Sequence, residues 1–182
     1  MKNIVLLFFI AGLFASCAAP VDNSRAKKMA DNKALVQRFY ETVINGHNVA
    51  AIDSFCHADF IDHNPDPGHS GKGLEDLHAQ FTAMLAGTPD IHITTDMMVA
   101  EGDTVVSFVT VTGTNTGPMA DMPATNKPFK INGVDIISLK NGKAVERWGV
   151  FDNMSMMAQL GMMGGGAPPE KPKMDDKKGK KK

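Results

Sequence analysis

The residues best suited to chemistry fall in two places. Asp152 ends a stretch that alternates like a strand, two positions after Val150 and four after Trp148. Residues two apart on a strand share a face, so these three point the same way. A carboxylate beside an indole in a dry place is hard to ionise, and its pKa climbs toward the range that suits proton transfer near neutrality. Such an aspartate can equally cap the helix that follows it. Both readings stay open. His63 precedes the turn Asn64-Pro65-Asp66-Pro67-Gly68, with Asp62 and Asp66 close enough in sequence to orient it. An imidazole is the natural partner of a carboxylate in acid/base work. The alternative is a loop histidine that only bonds its own turn.

A metal site deserves weighing. His57, Asp59, Asp62, His63, Asp66 and His69 crowd into thirteen positions. Two histidines and a carboxylate can hold iron or zinc. Yet no two of these histidines are spaced as on one helix face, and the loop between them carries two prolines. No metal is expected. Cys56 lies beside His57, but neighbours on a strand face opposite ways. It reads as a small buried hydrophobe.

These groups need elements to position them. Leu35, Val36, Phe39, Tyr40, Val43 and Ile44 form a helical stripe from Asn32, with Asp31 as cap and Asn45-Gly46 as stop. A short helix over Val49 to Phe55, capped by Asn48, leads to a strand-like Asp59 to His63. A third helix spans about Gly71 to Ala86, with Leu74, Leu77, Phe81, Met84 and Leu85 as its stripe. The period then changes to two. Strands are expected over Ile91 to Ala100, Thr104 to Asn115, Phe129 to Leu139 and Lys143 to Asp152. Asn141-Gly142 is the strongest hairpin signal. A closing helix over Asn153 to Leu160 ends at Gly161. Helices first and hairpins after argue an α+β fold. A single sheet must then curl to cover its own core. Phe81, Met84, Phe108, Trp148 and the methionines from Met154 to Met157 suit the lining of a core or cavity.

Bulk properties allow one domain in 182 residues, with 43% hydrophobic and 21% charged residues. A net charge of -1 gives no global field for nucleic acid. Residues 163–182 are Gly/Pro-rich and then lysine-rich, and such a segment cannot bury apolar area. A solvated basic tail is the expectation. Residues 1–17 have the layout of an export signal: Lys2, then an apolar run from Ile4 to Phe14, then Ala15-Ser16-Cys17. That run is too short to span a bilayer comfortably. Leu13-Phe14-Ala15-Ser16-Cys17 resembles a bacterial lipobox, which implies a lipidated Cys17 and a protein anchored in the cell envelope. Residues 18–30 read as a linker, and 31–162 as the domain.

Leu35-Val36-Gln37-Arg38-Phe39-Tyr40-Glu41, Asn45-Gly46-His47-Asn48 and Asp59-Phe60-Ile61-Asp62-His63-Asn64-Pro65 resemble the opening of SnoaL-like polyketide (ester) cyclases. So do Ala100-Glu101-Gly102-Asp103, Thr112-Gly113-Thr114-Asn115-Thr116-Gly117, Asn141-Gly142-Lys143-Ala144-Val145-Glu146-Arg147-Trp148 with Asp152, and Gln159-Leu160-Gly161. The resemblance spans about Asn32 to Gly161. It implies a cone like that of nuclear transport factor two: a curved antiparallel sheet wrapped by three N-terminal helices around an apolar pocket. It also implies an intramolecular aldol closure without metal or cofactor, with Asp152 at the position of the family's acid/base. Many relatives carry histidine where this chain has Asn115, and often Gly-Lys where it has Asn126-Lys127.

The expected protein therefore takes a small apolar carbonyl compound. Asp152 is its base and His63 assists, while Trp148, Asn115, Phe81 and Phe108 form the binding wall. The alternative is a non-catalytic envelope lipoprotein that holds a hydrophobic ligand or partner in the same cavity. A homodimer is an expectation from resemblance.

Overall fold

The computed structural model describes residues 23–119 and 123–163. The expected export signal with Cys17, residues 18–22 of the expected linker and the expected tail from residue 164 lie outside the described residues.

Helix α1 runs over Asn23–Phe39 and widens into a π-helical turn, Tyr40–Asn45. It begins well before Asn32, so residues 23–30 are helix and not linker. Its first turns are held by partners that lie far off in sequence. Arg25 pairs with Glu101, and Lys28 with Asp103 at 2.7 Å. The Asn32 amide donates to the Gly102 carbonyl at 3.1 Å. Asp31 is not the cap: it sits inside the helix and accepts from Lys27 at 2.6 Å. Exposed pairs of this kind are each worth less than about 1 kcal/mol. Several of them on one helix face explain why the polar segment is ordered.

A single 3-10 turn, Val49–Ala51, leads into the short α2, Ile52–Phe55, and then β1, Cys56–Asp62. Asn48 makes no side-chain cap bond there. Helix α3 covers Gly73–Gly87. Four strands follow: β2 His92–Glu101, β3 Thr104–Thr114, β4 Pro128–Lys140 and β5 Lys143–Phe151. Helix α4, Asn153–Leu160, closes the chain. The helix ends at Gly161, whose φ of 75° is the left-handed conformation glycine tolerates best. Asn141 and Gly142 both have positive φ, 52° and 73°, as the tight β4–β5 hairpin requires.

The fold is α+β: a curved, unclosed five-stranded sheet with helices over its concave face. The strand order is β1-β5-β4-β3-β2. The sheet is not wholly antiparallel, because β1 joins β5 in parallel. A strand that reaches the sheet edge by a long connection is free of the antiparallel rule that binds hairpin partners.

Alternation along β3 and β4 is clean. Val105, Val109 and Val111 on β3 and Phe129, Ile131, Ile137 and Leu139 on β4 are buried against the helices. Val36, Tyr40, Val43 and Ile44 meet them from the first helix. Burying one side chain of this size stabilises by about 1.5–3 kcal/mol. In the antiparallel part of the sheet two strands break their alternation. In β2 the register shifts between Thr95 and Met97, and in β5 Val145 has no partner between the pairs Leu139–Ala144 and Ser138–Glu146. The extra residue in each case turns the rest of the strand over.

Candidate functional site

A cavity of about 840 Å³ opens between the concave face and the helices. That volume suits a small organic ligand. Its walls are mostly apolar: Leu35, Val36 and Phe39 from α1, Leu77, Phe81 and Met84 from α3, Ile131 and Ile137 from β4, and Phe151 from β5. Phe39 meets the Phe55 and Phe81 rings edge-on, with centroids 5.8 and 5.7 Å away.

One part of the wall is polar. Arg147 on β5 donates from Nη1 to Asp62 at 2.7 Å, and from Nε to Asp135 at 2.8 Å. Its Nη2 lies 2.8 Å from the same Asp135 oxygen. The Tyr40 hydroxyl donates to the other Asp135 oxygen at 3.1 Å, and the Gln80 amide to Asp62 at 3.4 Å. Asp62 and Asp135 are almost wholly buried. Burial works against the charge on Arg147, but Asp135 and Asp62 more than offset it, and the guanidinium pKa rises. Tyr40 is also raised, by burial first and then by the Asp135 charge, so it stays a phenol. The guanidinium lies along the strand over Gly149, where any Cβ would collide with it. It ends 5.6 Å from the Phe151 ring centroid.

The loop after β1 forms the rim. Asp66, exposed as a residue, contributes to the cavity lining. Its carboxyl is raised above its ordinary value, by desolvation against the cavity wall first, with Arg147 pulling it back and Asp62 pushing it up. His69 lines the rim as well, its Nδ1 3.3 Å from Asp76. Asp76 also accepts the Ser70 and Gly71 amides at 3.1 and 2.8 Å. Partial burial raises the Asp76 pKa, but these bonds win and hold it below the usual value. With a carboxylate there, His69 donates from Nδ1 and keeps Nε2 for another partner.

Of the six residues expected at the site, Phe81 alone lines the cavity. Asp152 caps α4: it accepts from the Ser155 amide at 3.0 Å and the Ser155 hydroxyl at 2.6 Å, and it is exposed. Those bonds lower its pKa, the reverse of the expected rise. The face Trp148-Val150-Asp152 was expected inward. Instead Arg147, Gly149 and Phe151 face the cavity and Trp148 lies on the outer side. His63 stacks on Trp148 there, centroids 4.3 Å apart and planes 4° apart, and its Nε2 lies 2.8 Å from Glu146. Phe108 is on the same outer face, in register between Met97 and Val134. Asn115 is fully buried but staples the β3–β4 loop, bonding the Gly117 carbonyl and the Thr125 amide.

Tyr40, Gln80, Asp135 and Arg147 were not named as site residues, and Asp62 was read only as an orienter of His63 or a metal candidate. Their signal is a polar group on an otherwise apolar face. Asp135 falls among Ile131, Ile137 and Leu139, and Gln80 lies three after Leu77 and four before Met84. Cys56 is buried as expected, its thiol pushed up to about 12 by burial. Among the described residues no three of His, Cys, Asp and Glu lie together as a metal site.

Cone, cavity and buried polar wall together define a class, and comparison gives it a name. The family model of SnoaL-like polyketide cyclases matches residues 34–160, and the chain belongs to that family. No curated protein sequence matches the chain significantly. Solved structures do. TsrD from Streptomyces laurentii has a TM-score of 0.66 at 26% identity, over 72% of this chain and 96% of its own. A protein from Jannaschia sp. CCS1 assigned as a SnoaL-like polyketide cyclase gives 0.67 at 20%, over 78% of this chain and 95% of its own. AclR from Streptomyces galilaeus, assigned as a hydroxylase, gives 0.64 at 23%, over 80% and 87%.

Proposed function

We propose that the protein binds a small apolar carbonyl compound in its cavity and moves a proton on it, in cofactor-free acid/base chemistry of the cyclase type. One observation carries this reading. Asp66 stands on the rim of an apolar cavity with its carboxyl raised by desolvation, next to the Arg147 wall. A carboxylate so tuned is a better base for a carbon acid than one in water. A guanidinium has five N–H groups; the hydrogen bonds to Asp62 and Asp135 use two of them, and Nη2 is in ion-pair contact with Asp135. The rest can polarise a carbonyl. His69, steadied by Asp76, is the partner that relays the proton.

The test is deuterium exchange. Tetralone in deuterated buffer should lose its α-protons faster with the protein than without it. Asp66→Asn should slow that exchange roughly a hundredfold or more. Undiminished exchange in Asp66→Asn overturns the assignment.

A second reading is binding without turnover. It is favoured by the placement of Asp152 and His63, which lie outside the cavity, and by the apolar character of most of its wall. Tetralone that binds tightly but exchanges no faster than in buffer would establish it.

Export and anchoring through Cys17 complete the proposal. Support comes from the apolar run, the small residues before Cys17 and the likeness to a lipobox. Cells fed labelled palmitate should label the protein, and Cys17→Ser should abolish both the label and its recovery with membranes. A labelled Cys17→Ser variant refutes the site.

A further inference from the structure

Gln80 breaks the apolar stripe of α3, and its two amide atoms fare differently. The nitrogen donates to Asp62. The oxygen is buried and has no hydrogen-bond partner. Gln80 is 7% exposed, and it lines the cavity. The amide cannot be turned round to cure this. Turning it would set the oxygen against the Asp62 carboxylate, which already accepts from Arg147 and from the Asn64 amide. The orientation is therefore dictated by Asp62, and a buried acceptor is left without a partner on a residue that lines the cavity. An unpaired buried acceptor is unfavourable by about 1–3 kcal/mol, so a ligand that supplies a donor gains more than one bond normally brings.

Its surroundings sharpen the demand. Asp66 and Asp135 line the same cavity, and Asp62 stands behind Gln80 and Arg147. The corner is rich in acceptors, and the N–H groups that Arg147 has left serve the reacting carbonyl in the reading above. An additional carbonyl or carboxylate on the ligand would meet repulsion there. A hydroxyl would meet an acceptor that needs it.

We infer that the ligand carries a hydroxyl, enolic or phenolic, which donates to Gln80 Oε1 while the apolar body fills the cone. This deepens the reading of the site given above and rests on it: the carbonyl is the reacting group, and the hydroxyl is the group that the α3 wall recognises.

Two matched ligands test it by calorimetry, without need of turnover. Hydroxytetralone and methyltetralone have nearly the same shape and the same carbonyl. The wild-type protein should bind the hydroxy compound roughly tenfold more tightly. Gln80→Met, similar in volume and lacking the acceptor, should bind both about equally while keeping its circular dichroism. Equal affinity of wild type for the pair overturns the inference and leaves the carbonyl reading standing. A preference retained in Gln80→Met does the same. Failure of wild type to bind either compound overturns both.

Discussion

The Arg147 guanidinium donates to the buried Asp135 carboxylate at 2.8 Å and lies over Gly149 as it does so. A second buried carboxylate, Asp62, takes its other arm. Removing the cation leaves two carboxylates in the core with no counter-charge. Arg147→Met should therefore destabilise the protein by about 3–5 kcal/mol in urea unfolding, the usual penalty for breaking a buried pair from one side. Replacing Asp62 and Asp135 by Leu in the same chain should recover much of that loss. Gly149→Val should destabilise by less, because the guanidinium can swing aside. A Gly149→Val protein as stable as wild type would mean that the arginine does not need that bare strand.

Asp152 is held by Ser155, and this gives a prediction opposite to the one its sequence position suggests. Asp152→Ala should lower Tm by a few degrees, since the first turn of α4 loses its cap. Ketone exchange should be untouched. The low pKa of Asp152 makes its contribution acid-sensitive. It is present above the ordinary carboxylate value and fades as pH falls through the lowered one. Loss of exchange with an unchanged melting curve would return Asp152 to the active site.

The misplacement of Asp152 has one physical cause. Ala144 is buried on β5, and a period of two counted from it puts Glu146, Trp148, Val150 and Asp152 inside. Val145 is an extra residue in the ladder, and from there the odd residues face inward. Nothing in the local sequence marks the bulge, because apolar residues stand on both sides of β5. The charge partners decide the phase: Arg147 must reach Asp62 and Asp135, which lie on other strands. By contrast β3 and β4 read correctly because their alternation is one-sided. The Asn141-Gly142 turn was legible because its backbone demands those residues. Helix α1 was cut short for the reverse reason. Its first turns lack an apolar stripe and are stabilised by Glu101 and Asp103, some seventy positions away.

The outer face of the sheet carries two apolar rows. Val99, Val106, Ile136 and Trp148 are paired across β2 to β5, and so are Met97, Phe108, Val134 and Val150. Met97, Val99, Phe108, Ile136 and Val150 are exposed. A contiguous apolar patch of this kind marks an interaction face. The expected homodimer would use it, since rows without charge at their centre can meet a second copy of themselves about a two-fold axis. Sedimentation velocity should show a dimer for wild type at micromolar concentration. Phe108→Glu should give a folded monomer. A wild-type monomer under those conditions refutes the dimer.

Asp66 makes the last prediction, and it concerns two quantities with opposite signs. Its pKa is raised above the ordinary value of 3.8, with burial the largest cause. The folded state therefore holds the proton more tightly than the unfolded chain does. The stability this brings is complete below the ordinary value and is lost as pH rises through the raised one. At neutral pH the ionised carboxylate is thus a small burden on the fold. Asp66→Asn should be as stable as wild type or slightly more so at pH 7, and no more stable at pH 3. Activity runs the other way. A base must be ionised, so exchange should rise with pH along an acid limb whose midpoint lies above 3.8. That limb should vanish with Asp66→Asn, leaving only residual exchange. The pairing of the two results is what identifies the group. A loop residue of no catalytic account could alter stability, but it would leave the acid limb where it was. An unmoved limb in Asp66→Asn would shift the search to His69, the other titratable side chain on the rim with a ring nitrogen to spare.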